Sequence, residues 1–149
     1  MEKKMNNKGF SLVELIIVVA IMAVLIGVLA PAYLQYVEKS KKTSDCSAVG
    51  SVMDAIEIIA ADPAVNWTTG AIEVDFSSTG CTYGGAAGSA ALAQLQSIVP
   101  AADCKLTGTW TDSFNFSASK DSNGNVTFTQ DTAGTTEIAK ISPKLAGRY

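Results

Sequence analysis

The chain has 149 residues, 48% of them apolar and 17% charged, with a net charge of -3, three cysteines and no histidine. That length suits one domain plus an appendage. The acidic balance lacks the electrostatic footprint that draws nucleic-acid phosphates, so no nucleic acid is expected as a partner. Without imidazole there is no His-ligated metal and no Ser-His or Cys-His nucleophile pair, so neither an enzyme nor a metal or cofactor site is expected.

The apolar content is concentrated near the start. From Leu15 to Val37 no residue is charged and Ile, Val, Leu, Met and Ala dominate, a run long enough to cross a bilayer. The remainder is rich in Ser, Thr, Gly, Asp and Asn, the composition of an exported domain with many turns. Three readings compete for the N-terminus. An ordinary secretory signal would use Ala30-Pro31-Ala32 as its small-residue cleavage site and release a domain starting at Tyr33, but the uncharged run is longer than such a core and Glu14 stands at its entrance. A permanent single-pass anchor fits the length, and charge bias does not orient it, because Lys3, Lys4 and Lys8 flank one side and Lys39, Lys41 and Lys42 the other.

The third reading rests on particular residues. Lys8-Gly9-Phe10-Ser11-Leu12-Val13-Glu14 leads into Leu15-Ile16-Ile17-Val18-Val19-Ala20-Ile21, and the run closes with Ala30-Pro31-Ala32-Tyr33-Leu34-Gln35-Tyr36. This pattern, over roughly residues 8–38, resembles a type IV pilin precursor of the type IVa kind. The resemblance implies a leader over residues 1–9 that a prepilin peptidase removes after Gly9, N-methylation of the new N-terminal Phe10, and a role for Glu14 in assembly. It implies insertion in the cytoplasmic membrane with the leader in the cytoplasm and the head outside. A pilus assembly machinery would then extract the subunit from lipid into an extracellular homo-oligomeric helical filament serving adhesion, motility or aggregation. The alternatives are a pseudopilin of a type II secretion system, which shares the leader and Glu14, and a minor pilin or tip adhesin.

The chemistry of these positions has its own logic. A glycine before the scissile bond offers the peptidase bare backbone. Cleavage creates a cationic amine at Phe10, one helical turn from Glu14, and across subunits the two charges can pair in an apolar setting. Helix association in lipid gains little from the hydrophobic effect, so such a polar contact can decide register. Pro31 lacks the N–H that would bond the carbonyl of Gly27, itself a weak helix residue, so Gly27–Pro31 is expected to kink or melt.

Beyond the span, residues 38–62 read as the amphipathic half of the same helix. Val49, Val52, Met53, Ile56 and Ile59 mark its apolar face. Glu38, Lys39, Lys41, Lys42, Asp45, Asp54 and Glu57 are assigned to the polar remainder, and Asp62-Pro63 ends it. A helix from Phe10 to Ala61 would be about 78 Å long. Residues 63–106 read as a connecting region. It holds a short strand at Ile72, Val74 and Phe76, a glycine-rich loop from Gly80 to Gly88, and a short helix capped by Ser89 that carries Leu92, Leu95, Ile98 and Val99.

Residues 107–149 carry the clearest β pattern. Phe114, Phe116 and Ala118 alternate, Asn123-Gly124 marks a turn, Val126 and Phe128 alternate on the return, and Thr136 to Ile141 suggests a third strand. The expected fold class is α+β, a long N-terminal helix packed on a small antiparallel sheet, which is similar to the pilin fold. Cys46, Cys81 and Cys104 allow one bridge in three pairings. Cys81 with Cys104 is favoured because Cys46 lies in the helix, with three reduced thiols as the alternative. The carboxylates Glu73, Asp75 and Asp121 lack calcium-loop spacing and read as surface groups.

Overall fold

In the computed structural model the described residues are 9–67, 70–110 and 114–130. The leader residues before Gly9 and the strand expected at Thr136 to Ile141 lie outside them. The chain divides into two units, residues 1–37 and 38–149.

Helix α1 runs from Leu12 to Ala61 and contains Pro31. It begins two residues later than the apolar pattern suggests, at a cap described below. It stays helical through Gly27–Pro31, where weakening was expected. In the first unit every residue from Leu12 to Tyr36 is exposed, including Ile16, Val19, Ile26 and Leu29. This segment is long and apolar enough to cross a membrane.

In the second unit the predicted stripe of α1 is the centre of the core. Val49, Val52, Met53, Ile56 and Ile59 are fully buried while Asp54 and Glu57 face out. On the exposed side, hydroxyls bond back to the carbonyl four residues earlier, Thr43 to Lys39, Ser47 to Thr43 and Ser51 to Ser47, so these polar residues are satisfied within the helix. The helix stops before Asp62-Pro63, as the pattern predicts. Its last turn contains no basic residue, but Lys120 Nζ donates to the Ala60 carbonyl at 2.7 Å and supplies the missing cation at that negative end.

The sheet is antiparallel throughout, with four strands in the order β2-β1-β3-β4: β1 Ala71–Phe76, β2 Cys81–Gly85, β3 Phe114–Lys120 and β4 Val126–Gln130. Ile72, Val74 and Phe76 of β1 and Phe114, Phe116 and Ala118 of β3 point into the core shared with α1, following the expected alternation. Rings of Phe76, Phe114 and Phe116 pack with centroids 5.3 to 6.0 Å apart, and Phe128 of the edge strand meets Phe116 edge-on at 5.8 Å. The fold class is as expected, a long N-terminal apolar helix followed by a small antiparallel sheet.

Three sequence expectations need correction. The sheet is not confined to residues 107–149, because half its strands come from the segment read as connecting. Within that segment, Cys81–Gly85 forms a strand where a glycine-rich loop was expected. Its last residue serves close pairing: Gly85 has φ 98°, and a Cβ there would stand 2.2 Å from the Ala71 carbonyl oxygen. Helix α2, Ser89–Ile98, buries Ala91 and Leu95, but its N-cap is Gly88 rather than Ser89, which is already helical. Hairpin β3–β4 turns over residues 121–125. Asp121 Oδ1 accepts the N–H groups of Asn123 and Asn125, and its Oδ2 accepts the Asn125 side-chain amide. These donors hold the exposed Asp121 carboxyl below the usual carboxylate range, the Asn125 backbone contributing most.

Candidate functional site

The N-terminal residues are arranged by a helix cap. Ser11-Leu12-Val13-Glu14 has the Ser-x-x-Glu spacing of a capping box, and Glu14 Oε2 accepts the Ser11 backbone N–H at 3.0 Å. The cap starts the helix at Leu12 and leaves Gly9 and Phe10 outside it. Gly9 is exposed with open space around its Cβ position, and Phe10 is 84% exposed. The Gly9–Phe10 peptide therefore lies bare in front of a regular helix, with Glu14 turned back towards it. The spacing signal for this cap is present in the sequence, where Glu14 reads as a charge at the membrane entrance and for pairing and not as a cap. Gly27 also has open space around it, and Pro31 is exposed.

A second polar site, in the other unit, escaped sequence reasoning. Asp45 was placed with the polar remainder of the helix, yet it is 2% exposed, the one buried charged residue among those described. The carboxylate is saturated by the segment that precedes β3. Its Oδ1 accepts the Thr107 N–H and hydroxyl, both at 2.9 Å, and its Oδ2 accepts the Gly108 N–H and the Trp110 indole N–H, both at 2.8 Å. Burial pushes this carboxyl up, but the four donors outweigh it and hold the group below the usual carboxylate range. Glu38 accepts the Thr109 N–H, and the Lys42 ammonium stands 4.9 Å from the centre of the Trp110 ring. Gly108 permits the approach, since a Cβ there would come within 2.9 Å of Lys42 Cγ and 3.0 Å of Asp45 Oδ2. One face of the helix thus clasps residues 107–110 through polar contacts, with the Trp110 ring also packed against the core.

Of the cysteines, Cys81 and Cys104 are buried and Cys46 is half-buried, and all three are free thiols in this structure. Cys81 and Cys104 lie in the same core beside Tyr83, whose hydroxyl is 3.3 Å from Cys104 Sγ, whereas Cys46 sits beside Asp45, where burial and then that charge push its thiol up. Among the described residues, no three His, Cys, Asp or Glu side chains group as metal ligands.

The family described as "Prokaryotic N-terminal methylation motif" matches residues 4–30, which span Gly9, Phe10, Glu14 and the start of the apolar helix. The chain thus carries the N-terminal methylation motif of prokaryotic prepilins and is a type IV pilin-like protein, a structural class rather than an enzyme class. A "Prepilin peptidase-dependent protein A" of Clostridium perfringens is 28% identical over 115 residues, 76% of this chain and 80% of that protein. A "Type IV major fimbrial protein FimA" of Dichelobacter nodosus is 36% identical over 72 residues, 44% of this chain and 46% of that protein. Another of the same name and organism is 39% identical over 59 residues, 40% and 38% respectively. The chain spans less than half the length of these fimbrial relatives. No solved structure matches it. The apolar helix and the fimbrial relatives are consistent with membrane anchoring and with a pilus.

Proposed function

We propose that this chain is the precursor of a type IV pilin and a major subunit of the filament shaft. A prepilin peptidase cuts after Gly9, Phe10 becomes the N-methylated terminus, and an assembly machinery draws the subunit from the cytoplasmic membrane into an extracellular homopolymer. The observation that carries the proposal is the apolar sleeve from Leu12 to Tyr36, none of which is covered by its own chain, behind a prepilin methylation motif. Such a surface needs lipid or other copies of itself. Each large apolar side chain taken from water is worth about 1.5–3 kcal/mol, so exposure of the whole sleeve is untenable.

Glu14 supplies the register. In the free subunit its carboxylate rests on the Ser11 N–H of its own cap. In the filament it would meet the Phe10 amine of an adjoining subunit, neutralising a charge that costs about 2.5–3.5 kcal/mol at mid-membrane and less near the interface. Pro31 leaves the Gly27 carbonyl without its helical donor, so Gly27–Pro31 is where the helix would yield under tension. The test is N-terminal sequencing and intact mass of the exported protein, with electron microscopy of sheared filaments. A start at methylated Phe10 in abundant thin filaments is expected. A start at Tyr33 would indicate ordinary secretion, and a processed chain absent from surface filaments but required for protein secretion would indicate a pseudopilin.

A further inference from the structure

We infer that Cys81 and Cys104 form a disulfide once the second unit is outside the cytosol, and that Cys46 stays a free thiol. Cys81 opens β2, and Cys104 ends a 3-10 turn over Ala101–Cys104; both are buried. The backbone segments that carry the two thiols meet on both sides of them. On one side the Gly80 Cβ position is 2.6 Å from the Ala101 carbonyl oxygen, and on the other the Leu106 N–H donates to the Ser77 carbonyl at 2.8 Å. Segments 77–81 and 101–106 are therefore held against each other before any covalent link is made. The Tyr83 hydroxyl donates to the Val99 carbonyl at 2.9 Å and lies 3.3 Å from Cys104 Sγ, which seals the pair on a third side.

Burial shields both thiols from reagents in the finished fold. Bonding is therefore assigned to folding, while a thiolate is still accessible. One thiolate attacks a low-molecular-weight or protein disulfide and releases one thiolate of the oxidant. The second cysteine then attacks the mixed disulfide and releases the other, so two electrons and two protons leave the chain and the oxidant is reduced to two thiols. The bridge joins β2 to the turn that follows α2 and encloses that helix in a covalent loop.

The proposal rests on the reading that residues after the span are exported, but its test does not. The full chain in detergent is unfolded, refolded in a glutathione buffer of oxidising poise and alkylated after denaturation, with and without prior reduction. One alkylated cysteine before reduction and three after are expected. Trypsin leaves all three cysteines on one peptide, so cleavage at Asp and Glu is used, and it should return Cys81 and Cys104 linked. Cys46→Ser should keep the bridge. The loop of about two dozen residues should shift the folding equilibrium by a few hundredfold between oxidised and reduced chain, a difference that Cys81→Ser abolishes. Three alkylated thiols after refolding, linkage through Cys46, or an equilibrium indifferent to reductant would overturn the proposal. Finding the chain unprocessed or unexported would instead count against the pilin reading and leave this result intact.

Discussion

Replacing Asp45 by alanine removes an acceptor that four donors share. A hydrogen bond to a charged group nets about 1.5–3 kcal/mol, and an orphaned buried donor costs about 1–3 kcal/mol. The four are not additive, since they end on one carboxylate whose own burial offsets part of the gain. We therefore expect Asp45→Ala to lose about 3–5 kcal/mol, the range for removing one partner of a buried charged contact. Asp45→Asn keeps an oxygen for the Thr107 pair but turns an amide towards the Gly108 and Trp110 N–H groups, donor against donor, and should lose about half as much. The assay is urea unfolding of the chain in detergent, followed by tryptophan fluorescence, with Trp110→Phe identifying the local signal.

The pH dependence follows from the same contacts. The folded-state pKa lies below the unfolded value of about 3.9, so the Asp45 contribution is fully present above that value. It is lost as pH falls through the folded pKa. Wild type should lose stability below about pH 4 through this group, and Asp45→Asn should lack that component. A change under about 1 kcal/mol in Asp45→Ala, or matching acid profiles for wild type and Asp45→Asn, would refute the clasp as a stabilising contact.

Glu14→Ala and Glu14→Gln should be cleaved after Gly9 but stop or sharply reduce filament growth. Losing a buried charge pair of roughly 3–5 kcal/mol costs more than a hundredfold at each docking step, and filaments of normal number and length on Glu14→Ala cells would sink the pairing. Gly85→Ala should unpair the end of β2 and lower stability by at least about 2 kcal/mol, because its Cβ would stand 2.2 Å from the Ala71 oxygen at φ 98°. Unfolding curves check this, and a silent variant would mean that β2 tolerates a shifted register. A fragment starting near Tyr33 should fold as a monomer, since the stripe from Val49 to Ile59 is buried within the second unit. Sedimentation that shows aggregates would count against that packing.

What the sequence discloses depends on whether a signal is periodic or made of single residues. The stripe from Val49 to Ile59 and the alternations in β1 and β3 are repeated statements, so a stray residue does not erase them, and the structure places each where it was expected. Strand β2 is a single weak statement. Only Cys81 and Tyr83 face the side of Phe76 and Val74, and two glycines finish a pattern that reads as loop. Asp45 is the more instructive case, because charge identity outweighed position. It lies four residues before Val49, on the line that continues through Val52, Ile56 and Ile59, so helical geometry alone places it on the buried face. A carboxylate in that row has to be neutralised, exposed by a local opening, or met by donors from elsewhere in the chain. The donors come from residues 107–110, whose two threonines, glycine and tryptophan carry no periodic signal and look like a linker. A charge standing in register with an apolar stripe is thus a sequence-level prediction of a distant polar partner. The partner's address was not legible, because it depends on how the chain returns to the helix and not on any local preference.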